Sequence, residues 1–186
     1  MTGWPEQREN PEQPGNPEKP GYPEKPGYEK SFEPSMRTAL ELAREGLSAT
    51  TGPGDRDADV PVGAVVLRPD GTIAGRGRNR CLADRDPTAH AEIVAIRQAA
   101  ATAGSWRLDE CTLVTTLEPC TMCAGALIAA RIRRLIYGAP DPRAGAAGSL
   151  WDVVRDRRLG PPVEVIGGVL AQECSSLISD FFSRLR

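Results

Sequence analysis

Apolar residues at 36, 39, 40, 43 and 47 recur at helical spacing, which predicts a helix from Ser35 to about Ala49. Thr51 to Asp59 is rich in Gly, Pro and Asp and reads as a loop. Val62 to Leu67 is apolar without interruption, the pattern of a buried strand. Pro69-Asp70-Gly71 turns the chain, and Thr72 to Arg78 returns as a second strand. Ala89 to Ala103 carries Ala, Glu, Ile, Val, Arg and Gln with no Gly or Pro, so a helix is expected there, stopping near Gly104. Thr112 to Thr116 is a third strand, Cys120 to Arg131 a helix rich in Ala, Met, Leu and Ile, and Arg134 to Tyr137 a fourth strand. Gly145 to Arg158 reads as a Gly/Ala loop with a short helix, Val163 to Ile166 as a fifth strand and Leu170 to Arg184 as a closing helix. One hairpin followed by alternating helices and strands predicts an α/β fold on a layered sheet.

Composition divides the chain. Residues 1–34 hold eight of the 17 prolines and a period-six repeat: Asn10-Pro-Glu-Gln-Pro-Gly, Asn16-Pro-Glu-Lys-Pro-Gly, Tyr22-Pro-Glu-Lys-Pro-Gly, then Tyr28. Two prolines in every six residues suit neither a packed helix nor a strand, so this segment is expected to be a disordered, polyproline-like tail. The folded domain is then 35–186. The tail carries seven Glu against three Lys and one Arg, net −3, which leaves +1 for the domain out of the whole-chain −2. All three lysines are in the tail, so the domain's 19 basic residues are all Arg. Arginine suits phosphate contact and stacking on bases. Near-neutral net charge confines any nucleic-acid surface to local patches, with Arg131, Arg133, Arg134, Arg143 and the Arg184/Arg186 terminus as candidates. No apolar run of 18 residues predicts a membrane span, and the start has no basic-then-apolar leader. Five cysteines without a disulfide-like framework fit a reduced, cytoplasmic protein.

The chemistry is concentrated in two short runs. The chain's one histidine stands in Thr88-Ala89-His90-Ala91-Glu92, and thirty residues later comes Pro119-Cys120-Thr121-Met122-Cys123. One imidazole and two thiolates match a catalytic zinc site, which takes three protein ligands and leaves the fourth position to water. If Pro119 opens a helix, Cys120 and Cys123 project from one face of its first turn, where the helix N-terminus favours thiolates. His90 would lie in the first turn of the preceding helix. Glu92, two residues on, suits a proton carrier better than a fourth ligand. Taken singly, the Cys-x-x-Cys reads equally as a redox pair, the histidine as a satisfied polar residue and the glutamate as a capping charge. Together they make the signature of zinc-dependent nucleobase deaminases.

Further runs extend the match: Val60-Pro-Val-Gly-Ala-Val, Asn79-Arg80, Asp86-Pro-Thr-Ala-His-Ala-Glu-Ile, Thr116-Leu-Glu-Pro-Cys-Thr-Met-Cys-Ala-Gly-Ala, Gly145-Ala-Ala-Gly-Ser-Leu and Ser179-Asp-Phe-Phe. With these, residues 36–182 resemble the bacterial tRNA-specific adenosine deaminases, a branch of the cytidine deaminase superfamily. The resemblance implies a three-layer cytidine-deaminase-like fold, with a central five-stranded mixed sheet flanked by helices. It implies hydrolysis of adenosine to inosine at the wobble position of a tRNA anticodon, in a homodimer holding one zinc ion per subunit. Carried over by position, His90, Cys120 and Cys123 match the zinc ligands and Glu92 the proton shuttle. Asn79 matches a base-contacting residue, Val60 and Phe182 resemble walls of the base pocket, Ala91 adjoins the substrate, and Asp141 resembles a position beside the RNA backbone. A free-base or nucleoside deaminase acting on guanine or cytosine would share the zinc chemistry and is the alternative.

Overall fold

A computed structural model describes residues 29–48 and 58–184 of the chain. The proline repeat, most of the loop predicted after Thr51, and Arg186 lie outside the described residues.

A single 3-10 turn, Glu29–Phe32, leads into α1 (Glu33–Ser48). The helix therefore starts two residues before the predicted Ser35. Pro34, counted with the tail in the sequence, occupies the first helical turn, where a missing N–H costs nothing. Phe32 is buried against α1 and the sheet, so the folded unit extends into the segment assigned to the tail. Met36, Ala39, Leu40 and Ala43 form the buried stripe of α1, as their spacing predicts.

Next come β1 (Gly63–Leu67), β2 (Ile73–Arg78), the short α2 (Cys81–Asp84) and α3 (Ala91–Ala103). They are followed by β3 (Thr112–Leu117), α4 (Thr121–Ala129), β4 (Arg134–Ala139), β5 (Glu164–Gly167) and α5 (Ala171–Arg184). The five strands make one sheet in the order β2-β1-β3-β4-β5. β1 runs antiparallel to β2 and β3, whereas β3, β4 and β5 are parallel, so the sheet is mixed. Alternation along the strands supplies two cores. Ala64, Val66, Leu113 and Leu135 face α3 and α4 with Ala95, Ile96, Ala124 and Leu127. Val65, Leu67, Val114 and Ile136 face α1 and α5 with Met36, Leu40 and Cys174. The predicted layered α/β fold is observed, with helices on both faces of a five-stranded sheet.

Two departures bear on the site. No helix forms in 145–158. The amides of Ala147 and Ser149 donate to the Glu118 carboxylate, and Val153 N donates to Ala146 O, so the backbone is committed to cross-loop bonds. In the other direction, α2 was not foreseen; Arg80 and Asp84 pair across its single turn. All five cysteines are free thiols. No described helix is long and apolar enough to cross a membrane.

Strand direction decides where chemistry can collect. β2, β3 and β4 all point their carboxyl ends the same way, and β1 begins there. The segments following these three strands, 79–90, 118–120 and 140–149, therefore meet at one edge, the usual ligand edge of an α/β sheet.

Candidate active site

His90 is delivered by a tightly bonded connection from β2. Asn79 N donates to Val62 O at 2.9 Å, and Arg80 N to Ala89 O at 2.9 Å, so the connection starts on the sheet edge and its two ends are tied to each other. Asp86 folds the segment before the histidine by accepting the amide and hydroxyl of Thr88 at 2.8 and 2.6 Å. Asp59, buried, caps α2 by accepting the amides of Leu82 and Ala83 at 2.7 and 3.2 Å. His90 is then the N-cap of α3, in extended conformation, rather than a member of its first turn as predicted. Most N-cap side chains bond back to the helix amides. His90 makes no such bond, which leaves its ring for another partner.

α3 approaches the sheet closely because β2 carries glycine where they meet. A Cβ on Gly77 would fall 2.2 Å from Ala91 O, and one on Gly75 would fall 2.2 Å from Ala95 O. The histidine's height above the sheet is set by that contact.

Cys120 is the N-cap of α4, directly after β3 and the Glu118-Pro119 pair. Pro119 thus precedes the cap instead of opening the helix. Cys123 lies one turn in and is fully buried. The His90 Nδ1 atom stands 3.7 Å from the Cys120 Sγ and 3.5 Å from the Cys123 Sγ. All three ligand atoms lie within 4.8 Å of one another. A tetrahedral zinc with ordinary Zn–N and Zn–S bonds separates nitrogen from sulfur by about 3.6 Å. The donor set and the spacing both fit zinc.

The electrostatics favour a cation. The Cys123 thiol donates to the Cys120 sulfur and holds Cys120 down to about 3, a thiolate, with His90 adding to the effect. Cys123 is pushed up by the same bond and by burial. His90 is raised by its bond to Cys120. Cys120, Cys123 and His90 thus form one hydrogen-bonded cluster, a donor set that suits a dication. Glu92 is also buried, and removal from water raises its carboxyl to about 7, within hydrogen-bond reach of the Cys123 side chain. Such a group exchanges protons near neutrality, as a proton carrier must. The site therefore has three metal donors and one buried acid facing them.

Known proteins are similar to this chain across the segment that builds the site. Residues 32–139 match the family model for the cytidine and deoxycytidylate deaminase zinc-binding region. The tRNA-specific adenosine deaminase of Haemophilus influenzae is 44% identical over 154 residues, 83% of this chain and 84% of that one. The chain belongs to the tRNA-specific adenosine deaminase family. A tRNA(Ile)-lysidine synthase of Deinococcus deserti is 47% identical over 154 residues, which span 27% of its length. A solved structure from a study of A-to-I editing by tRNA:A34 deaminases superposes with a TM-score of 0.68 at 39% identity, covering 76% of this chain and 96% of the other. The guanine deaminase of Nitrosomonas europaea superposes with a TM-score of 0.67 at 26% identity, covering 81% and 84%.

In this deaminase the other anticipated residues divide into two groups. Asn79 lies at the site edge after β2, with its Oδ1 accepting the Cys81 thiol at 3.2 Å. Val60, partly buried, packs on the core beside it. Asp141 follows β4, and its carboxylate accepts the amides of Arg143 and Ala144 at 2.9 and 3.3 Å, folding its own loop. The Ala91 side chain is fully buried in the core, which leaves its backbone for any contact with substrate. Phe182 is 41% exposed on α5, edge-on to Phe181 with ring centroids 5.3 Å apart. Among the proposed arginines, Arg143 is at the site edge. Arg131, Arg133 and Arg134 lie instead at the start of β4, the opposite end of the sheet, where Arg133 pairs with Glu110 and Arg134 with Glu164. Helix α4 runs away from the sulfurs, so residues just past its end cannot stay beside them. Arg78 and Arg80 adjoin Asn79 in the chain, but the Arg78 guanidinium reaches Gly46 of α1 and Arg80 pairs with Asp84. Asp59 and Glu118 were not singled out in the sequence. Their sole signal there was an acidic residue beside a motif, which is what a surface charge also looks like.

Proposed function

We propose that this chain converts adenosine to inosine at the wobble position of a tRNA anticodon, with water as co-substrate and ammonia as leaving group. The observation that carries this reading is near-full-length similarity to tRNA-specific adenosine deaminases, combined with a buried glutamate facing three zinc donors. His90, Cys120 and Cys123 would hold the zinc, which when bound makes water a stronger acid and a nucleophile at neutral pH. Glu92 accepts one proton of the attacking water and delivers it to N1 of the ring as C6 is attacked, then carries the proton of the new C6 hydroxyl to the amine as the C6–N bond breaks and ammonia leaves. Its burial keeps bulk water from competing for those transfers. Asn79 and the Val60 wall bound the base, the Ala91 backbone adjoins it, and Asp141 and Phe182 meet the surrounding RNA. An anticodon loop presents unstacked bases, so the adenine reaches the metal without melting a duplex. The working form is a homodimer in the cytoplasm; light scattering of the purified protein should give twice the chain mass.

A guanine deaminase reading has one specific support, the comparable superposition on the Nitrosomonas europaea enzyme. Incubating the zinc-loaded protein with an adenosine-34 anticodon stem-loop, and separately with guanine, decides between them. Inosine in the RNA is expected. Xanthine from guanine with no inosine would overturn the proposal.

A further inference from the structure

Glu118 has no part in metal binding, yet it is among the most buried charged groups of the protein, 2% exposed. Its carboxylate faces donors only. Oε1 accepts Ala147 N at 2.9 Å and Ser149 N at 3.0 Å, and Oε2 accepts Asp141 N at 3.1 Å and the Ser149 hydroxyl. All four donors belong to 141–149, the loop that follows β4. That loop is also laced to the metal segment through its backbone: Ala146 N donates to Pro119 O at 2.8 Å, and Gly145 bridges Cys120. Gly145 leaves the carboxylate its space, since a Cβ there would fall 2.6 Å from Oε2 and 2.5 Å from Asp141 O.

We propose that Glu118 is a positioning residue for substrate recognition. It clamps the Asp141–Ser149 loop to the strand end that supplies Cys120, fixing the loop's RNA-facing residues at a set distance from the metal. The inference rests on the tRNA reading above, because it assigns the loop to a substrate larger than one base. The physical case is one of satisfaction. A buried carboxylate that accepts from four donors has its lone pairs filled, and each donor it holds would otherwise be an unpaired amide or hydroxyl. A glutamine of the same shape must turn one NH2 toward at least one backbone N–H, so the clamp weakens while the packing volume is kept. The adjacency also explains the Glu-Pro-Cys order. One residue anchors the recognition loop, the next sets the chain direction, and the third binds metal.

The test uses the zinc-loaded full chain. In Glu118→Gln, zinc content should stay at one per chain and kcat on the anticodon stem-loop within about twofold, while KM rises about tenfold, the equivalent of one lost buried hydrogen bond. Amide hydrogen exchange at Asp141, Ala147 and Ser149 should speed up by about tenfold or more, with the α3 amides unchanged. Ser149→Ala, which leaves the carboxylate in place and removes one donor, should shift both readouts the same way by less, and it serves if the glutamine variant does not fold. Exchange needs no substrate. If the wild-type chain makes no inosine, the tRNA reading falls while exchange still decides the clamp. Unchanged exchange in both variants, or a loss confined to kcat and zinc content, would overturn the proposal.

Discussion

In the proposed mechanism four side chains carry the chemistry, and the metal ligands and the acid are expected to fail in different ways. Glu92→Ala should retain zinc, measured by elemental analysis, and lose about 10²- to 10⁴-fold in kcat, the usual worth of a positioned acid–base. His90→Ala should lose the metal itself, because no other imidazole exists in the chain to replace it. The pair separates holding the ion from moving the proton. These residues were legible in the sequence because the chemistry dictates their types: thiolate, imidazole and carboxylate cannot be exchanged for look-alikes. Glu118 and Asp59 were not legible. Their partners are backbone amides, and a backbone amide has no letter in the sequence.

Helix ends were less legible than helix existence. The apolar periodicity of α1 and the Gly-free run of α3 located both helices, but His90 and Cys120 occupy the caps where Ser, Thr, Asp or Asn normally signal a start. Function has taken those two positions, so the ordinary start signal is missing where the metal is bound. The 145–158 segment departs from its predicted short helix for a related reason, since the amides of its Ala-rich beginning donate to Glu118 rather than to its own carbonyls in helical register. Close packing of α3 on β2 yields a further expectation. Gly77→Ala must displace the Ala91 carbonyl, and with it the residue following His90. The variant should bind zinc more weakly, by about tenfold or more in a chelator competition, and melt at lower temperature. Wild-type zinc affinity would show that α3 shifts without moving its cap.

For the molecule as a whole, stability is expected from the Phe32 segment and from the metal. Phe32 packs under α1, with the Arg134 guanidinium 5.9 Å above its ring. Phe32→Ala should cost about 3 kcal/mol, the low end for a buried phenylalanine, and removing residues 1–34 should lower the melting temperature for the same reason. Removing 1–28 takes away none of the described contacts and should leave melting near the wild-type value. Chelation should also destabilise, because His90, Cys120 and Cys123, which would hold the zinc, come together in the folded state alone. At a hundredfold excess of free zinc over its Kd the bound form gains about 2.7 kcal/mol, read as a drop in melting temperature on adding chelator.

Along β2 the sequence runs Gly75-Arg76-Gly77-Arg78, glycines turned to α3 and Arg76 to solvent. A pairing error of one residue reverses the faces of a strand. Here it would force guanidinium groups into a space where even a methyl carbon falls 2.2 Å from a helix carbonyl. The misaligned hairpin cannot accept α3 at all, and without α3 no imidazole reaches the sulfurs. The same four residues therefore act as a proofreading device: only a correctly registered sheet can acquire the metal, so zinc content reports the fidelity of folding.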